Sequence, residues 1–126
     1  MSEATQQKVS ESDGVAKVLT AARERLSKGW CQKSYAKDAA GRVVSAHSQK
    51  AVNFCIIGAL DASVTGFDGR GNIMRSARVV VAEHIEKICD LPARTIAKFN
   101  DDPGRTHADV LDLMDKAIAA YAGKGI

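Results

Sequence analysis

The run Phe99-Asn100-Asp101-Asp102-Pro103-Gly104-Arg105-Thr106 places an amide, two carboxylates, a guanidinium and a hydroxyl next to one another. A site could be built from such a set, and its carboxylates raise the question of general acid–base chemistry. Pro103-Gly104 predicts a turn, and Thr106 with Asp109 three residues on predicts a capping box opening the next helix. Acidic groups at a helix start, here Asp101, Asp102, Asp109 and Asp112, are accounted for by capping and by the helix dipole alone. The structural explanation is therefore favoured over acid–base catalysis. Asn100 or Asp101 is expected to hold the loop internally, with Arg105 at least partly exposed.

Cysteine chemistry is the sharpest enzymatic alternative, a small hydrolase or transferase using Cys31 or Cys55 with a histidine such as His84. A thiolate nucleophile needs a depressed pKa and a base within hydrogen-bond reach. Cys31 falls just past the C-terminus of a predicted helix, where the dipole opposes a thiolate. Cys55 falls about two turns inside another predicted helix, on its apolar face. His47, His84 and His107 are the available bases. Free cysteines serve mostly as small buried hydrophobes, so the core reading is favoured and no catalytic residue is assigned. Cys31, Cys55, Cys89 and His84 lack the paired short spacings of a structural zinc site, so neither metal nor cofactor is expected. An odd number of cysteines without a Cys-x-x-Cys pair fits a reducing cytoplasm, where a Cys31–Cys55 disulfide is disfavoured. Trp30, the only tryptophan, could stack on a ligand or cover the core.

The elements that must position these groups are mostly helical. Val15, Val18, Leu19, Ala22 and Leu26 recur at spacings of three and four, which predicts a first helix from Ser12 to about Lys28, stopped by Gly29. Ser34–Lys37 and Arg42–Ser45 flank the turn sequence Asp38-Ala39-Ala40-Gly41 and predict a short β-hairpin. Ser48 is expected to cap a central helix over 49–64, with Val52, Cys55, Ile56, Ala59 and Leu60 buried. Gly66, Gly69 and Gly71 form a connector; no strand precedes them and no Lys-Ser/Thr follows, so a phosphate loop is not indicated. A third helix is expected over 73–89, with Ile73, Ala77, Val80, Val81, His84, Ile85 and Ile88 inward. A short helix from Pro92 to about Lys98 follows, then a last one over 107–121 carrying Val110, Leu111, Met114, Ala117, Ile118 and Tyr121 on one face. The fold class is mainly α, a single-domain bundle of about five helices with one β-hairpin after the first. Residues 1–11 are expected to form a disordered tail, and 12–123 the helical domain.

Length and composition agree. The 126 residues suit one domain, and 45% apolar with 26% charged residues describes an ordinary globular chain. Aromatics are only 5%, so Ala, Val, Ile and Leu must build the core. A net charge of +3 without a Lys/Arg run does not favour nucleic acid, which stands as the weakest option. No apolar leader is present in Met1–Asp13, and the apolar stretch around Phe54–Leu60 is far shorter than a bilayer span. A cytoplasmic protein without membrane association is expected.

Three motifs carry a family resemblance: Gly29-Trp30-Cys31-Gln32; Ala51 with Cys55-x-x-Gly58-Ala59-Leu60; and Asn100-Asp101-x-Pro103-Gly104-Arg105-Thr106 followed by Val110-Leu111. In combination, over residues 15–120, they resemble an uncharacterised family of small bacterial and phage-encoded proteins, a domain of unknown function. Phe99 stands where that family often has Trp. The resemblance implies a shared fold and a shared site, and it brings no activity. The expectation is a non-catalytic binding or interaction module, associated with a phage or mobile element. Its surface lies where Trp30, Gln32 and Tyr35 could meet Asn100, Asp101 and Arg105, for a protein or small-molecule partner the sequence does not identify.

Overall fold

The computed structural model describes residues 11–64, 70–89 and 96–124. The apolar stripe of the first helix, α1 (Glu11–Lys28), is buried as its spacing requires: Val15, Val18, Leu19, Ala22 and Leu26 are all inaccessible to solvent or nearly so. This helix occupies the centre of the fold, since every other long helix packs on it, and not the second helix as expected. Arg23 reaches from its partly exposed flank to both carboxylate oxygens of Asp115 at 2.8 and 3.2 Å.

The hairpin is present as β1 (Ala36–Lys37) and β2 (Val43–Val44), antiparallel with Ala36 opposite Val44. Its turn is made by Asp38, whose carboxylate accepts from the Ala40 and Arg42 N–H groups, and by Gly41 in the left-handed region at φ 84°. The Arg42 N–H, with the Arg42 guanidinium and the Ala40 N–H, holds the Asp38 carboxyl below the usual carboxylate range.

The expected helix over 49–64 is shorter and begins later. Residues 45–51 form two consecutive turns, with Ser48 accepting from Lys50 N in place of capping a helix. Asn53–Phe54 is a third strand, β3, on the other edge of β1, so the sheet order is β2-β1-β3. Phe54 is held on both sides: its N–H donates to Gly29 O at 3.0 Å and its carbonyl accepts from Cys31 N at 3.0 Å. Those non-local backbone bonds outweigh the weak helical period of 49–54, and Val52 is consequently exposed rather than buried. Gly29 does follow α1, but without positive φ; a side chain there would collide with the Val52 carbonyl and the Asn53 amide of the incoming strand.

Helix α2 therefore spans Ile56–Ser63, and Cys55 is its N-cap, the thiol sulfur accepting from Gly58 N at 3.2 Å. Helix α3 (Arg70–Cys89) buries Ile73, Ala77, Val81 and Ile85, with Val80 and His84 half-buried. Gly71 lies in this helix; of the expected tail 1–11, Glu11 is already helical, and residues 1–10, with Gly66, Gly69, Leu91 and Pro92, lie outside the described residues. The short helix α4 is Ile96–Asp101. It ends beyond Lys98, so Phe99, Asn100 and Asp101 sit in helical geometry rather than in the loop. Helix α5 (His107–Lys124) buries Val110, Leu113, Met114 and Ala117 against α1 and α3. Among the described residues no helix is long and apolar enough to cross a membrane.

The capping box at the start of α5 forms reciprocally, Asp109 N donating to Thr106 Oγ1 and Thr106 N to the Asp109 carboxylate, both at 3.0 Å. Thr106→Ala removes one of these bonds and should cost about 1 kcal/mol in urea unfolding. An unchanged midpoint would show that water replaces the cap without loss.

Candidate functional site

Three sequence-distant segments meet at Asn100, whose side chain is fully buried and uses all four of its hydrogen-bonding positions. Its Oδ1 accepts from Trp30 Nε1 at 2.8 Å and from Ile56 N at 3.0 Å. Its Nδ2 donates to Cys31 O at 3.1 Å and to Asp101 Oδ1 at 2.9 Å. Two donors on one side and two acceptors on the other define the amide orientation. Asn100 thus ties the exit of α1, the first turn of α2 and the end of α4 into one rigid unit.

Gln32 reinforces the same junction: its Nε2 donates to Asn100 O at 3.0 Å and to Asp102 O at 2.9 Å. Asp101 Oδ1 accepts a second bond, from Lys33 N, at 2.8 Å. To offer that N–H, Lys33 takes φ 69°, the left-handed region. Among the described residues no other non-glycine does so. A side chain costs energy in that conformation, whereas glycine adopts it freely. Lys33→Gly should raise stability by about 0.5–1 kcal/mol, the relief of strain exceeding the added freedom of the unfolded chain. A drop in the urea midpoint would mean that the Lys33 stem contributes packing that outweighs the strain.

Arg105 faces away from this network. Its guanidinium lies 3.6 Å from the centre of the Phe99 ring, and its Nε donates to Phe99 O at 2.9 Å. The Asp102 carboxylate stands 3.6 Å from Nη2, and only 20% of the Arg105 side chain is exposed. The arginine clamps the α4–α5 turn onto α4. Trp30, already bonded to Asn100, stacks on His107 with ring centres 6.0 Å apart, and His107 Nε2 bonds the Leu26 carbonyl.

Beside the hub lies a cleft of about 340 Å³, lined by Tyr35, Val43, Cys55, Ile57, Ala97 and Asp101, with Lys33, Ser34 and Asn100 completing it. Tyr35 and Val43, both lining the cleft, are 63% and 68% exposed. Of the six residues assigned from sequence to a binding surface, Trp30, Gln32, Asn100 and Asp101 are joined by hydrogen bonds. Tyr35 shares the cleft with Asn100 and Asp101. Arg105 does not line it. Sequence reasoning missed Lys33, Ser34, Val43, Ile57 and Ala97. Only Val43 carried a signal, as an apolar residue in the outer strand of the hairpin.

The model of a family of unknown function, DUF6197, matches residues 10–120. The chain belongs to that family. No curated protein and no solved structure matches it. In this DUF6197 chain the three motifs that suggested the resemblance converge on Asn100. Trp30, Cys31 and Gln32 come from the first; the second supplies Cys55 and Gly58 at the start of α2; the third supplies Asn100 and Asp101.

The thiols of this DUF6197 member are poorly placed as nucleophiles. Burial, helped by the neighbouring Cys55, pushes the Cys31 thiol up to about 11. Cys55 is not inside a helix as expected but at the N-cap of α2, where the dipole would favour a thiolate. Burial still pushes its thiol up, against the opposing pull of the Gly58 N–H. No histidine lines the cleft with it: His47 pairs with Asp61 at 2.9 Å, His107 is held by Leu26, and His84 sits half-buried on α3. Both Cys31 and Cys55 are free, and among the described residues no three His, Cys, Asp or Glu side chains group as metal ligands.

Proposed function

We propose that this DUF6197 chain is a non-catalytic binding module that takes its ligand in the cleft between the hairpin and α4. One observation carries the reading: the Asn100 network spends its polar groups internally to build a rigid wall, while Tyr35 and Val43 stand open at the rim of a 340 Å³ cleft. Clefts of roughly 300–1,000 Å³ with apolar walls and few polar groups are the usual form of a ligand site. The free thiols of Cys31 and Cys55 support a reducing, cytoplasmic setting. The resemblance to phage-encoded proteins supports carriage by a phage or mobile element.

Thiol labelling separates this module from a cysteine enzyme. With iodoacetamide near neutral pH, Cys31 and Cys55 should react more slowly than a small model thiol and reach its rate only in denaturant. One cysteine reacting faster than the model thiol in the native protein would overturn the reading. Tyr35→Ala and Val43→Ala supply the positive arm. Both side chains are exposed, so the melting temperature should shift little, while any ligand-induced stabilisation should be lost.

A further inference from the structure

Among the described residues, Asp101 is the only acidic one lining the cleft, and its setting is unusual for a surface carboxylate. Two donors, Lys33 N at 2.8 Å and Asn100 Nδ2 at 2.9 Å, both bind Oδ1. Among the described residues no ion pair engages the carboxylate and no hydrogen bond occupies Oδ2. The carboxylate cannot rotate away without breaking both bonds, one of which belongs to the buried Asn100 amide. It is therefore a preorganised acceptor beside the apolar Val43, Ile57 and Ala97 and the ring of Tyr35.

A fixed, half-buried carboxylate next to an aromatic ring matches a protonated amine. The ammonium donates charge-assisted hydrogen bonds to the free oxygen, and the ring face attracts the same charge. From this charge complementarity we infer that the cleft binds a small organic amine, its ammonium on Asp101 Oδ2 and its apolar body against Tyr35, Val43 and Ile57. The inference rests on the cleft being the binding site and names the chemistry that site selects. Among the described residues, the exposed Lys33 is the one cationic side chain lining the cleft. It makes an anionic ligand the alternative to be tested.

The probes are 2-phenylethylamine, its neutral counterpart 2-phenylethanol and its anionic counterpart phenylacetate, titrated into the full chain with amide shifts followed by NMR. The amine should move the Lys33, Val43 and Asp101 amides saturably and bind at least about tenfold more tightly than the alcohol. Asp101→Asn keeps an oxygen for Lys33 N and Asn100 Nδ2, so Trp30 fluorescence should be unchanged while amine affinity falls by about the same factor. If that variant disturbs Trp30 fluorescence, the amine-to-alcohol ratio in the natural chain decides. Alcohol binding as tight as the amine would overturn the amine inference and leave the cleft as a ligand site. Tighter phenylacetate binding would overturn it in favour of Lys33. Tighter binding of N-acetyl-lysine methylamide would overturn the free amine in favour of a lysine side chain from a partner. If no probe moves the cleft amides, both the inference and the binding-site reading fail.

Discussion

Asn100→Ala is expected to remove about 4 kcal/mol of folding stability, enough to leave the chain marginally folded. The substitution strands the Trp30 indole N–H, the Ile56 N–H and the Cys31 carbonyl at a fully buried point. Each unpaired buried group costs about 1–3 kcal/mol, and the missing amide adds a small cavity. The Ile56 N–H belongs to the first turn of α2, whose N–H groups have no partner within the helix itself. Urea unfolding followed by Trp30 fluorescence reports the loss directly. A midpoint close to that of the natural chain would mean that water fills the site and that the hub has little energetic weight.

Asn100→Asp tests the same network with shape preserved. A carboxylate keeps both acceptor roles and loses both donor roles, facing the Cys31 carbonyl and the Asp101 carboxylate. Burial and the adjacent Asp101 favour its neutral form, so its folded pKa lies above the unfolded value of about 4. The variant should then be most stable below that pH and lose stability as pH rises through the folded pKa. Stability that rises with pH would show that the new carboxylate has found a cationic partner.

Gly58→Ala should destabilise by about 2–3 kcal/mol, although alanine in place of a helical glycine ordinarily stabilises by about 1 kcal/mol. A Cβ at Gly58 would lie 2.9 Å from the Tyr35 carbonyl carbon and nearer still to its oxygen. Those are backbone atoms, anchored by the Cys55 N–H bond to Tyr35 O at 3.1 Å, so no side chain can swing aside. Relief requires α2 to retreat from the strand segment, which breaks that bond and disturbs the Cys55 cap. The melting temperature is the readout. A rise would show that the close approach of α2 to residue 35 relaxes at no cost.

Helical content, the buried stripe of α1, the Asp38–Gly41 turn and the Thr106–Asp109 box were legible in the sequence because each depends on residues within one or two turns of chain. Periodicity, φ freedom and capping are local properties. The stretch 49–56 was not legible. Ser48 resembles a helix cap and 52–60 carries a helical stripe, but the conformation is decided by Gly29, Cys31 and β1, which pair with Phe54 and Asn53 from outside the window. The role of Cys55 changed with it, from a residue inside a helix to the cap of one.

The candidate site divides in the same way. Gly-Trp-Cys-Gln and Asn-Asp-x-Pro-Gly-Arg-Thr were visible as motifs, and their residue types announced hydrogen bonding. Their division of labour was invisible. Asn100 is consumed by the core, Arg105 by Phe99, and Asp101 takes both of its hydrogen bonds on one oxygen. A motif shows which groups are available, but which of them remain free depends on donors such as the backbone N–H of Ile56 and Lys33, present at almost every position and aimed only by tertiary packing.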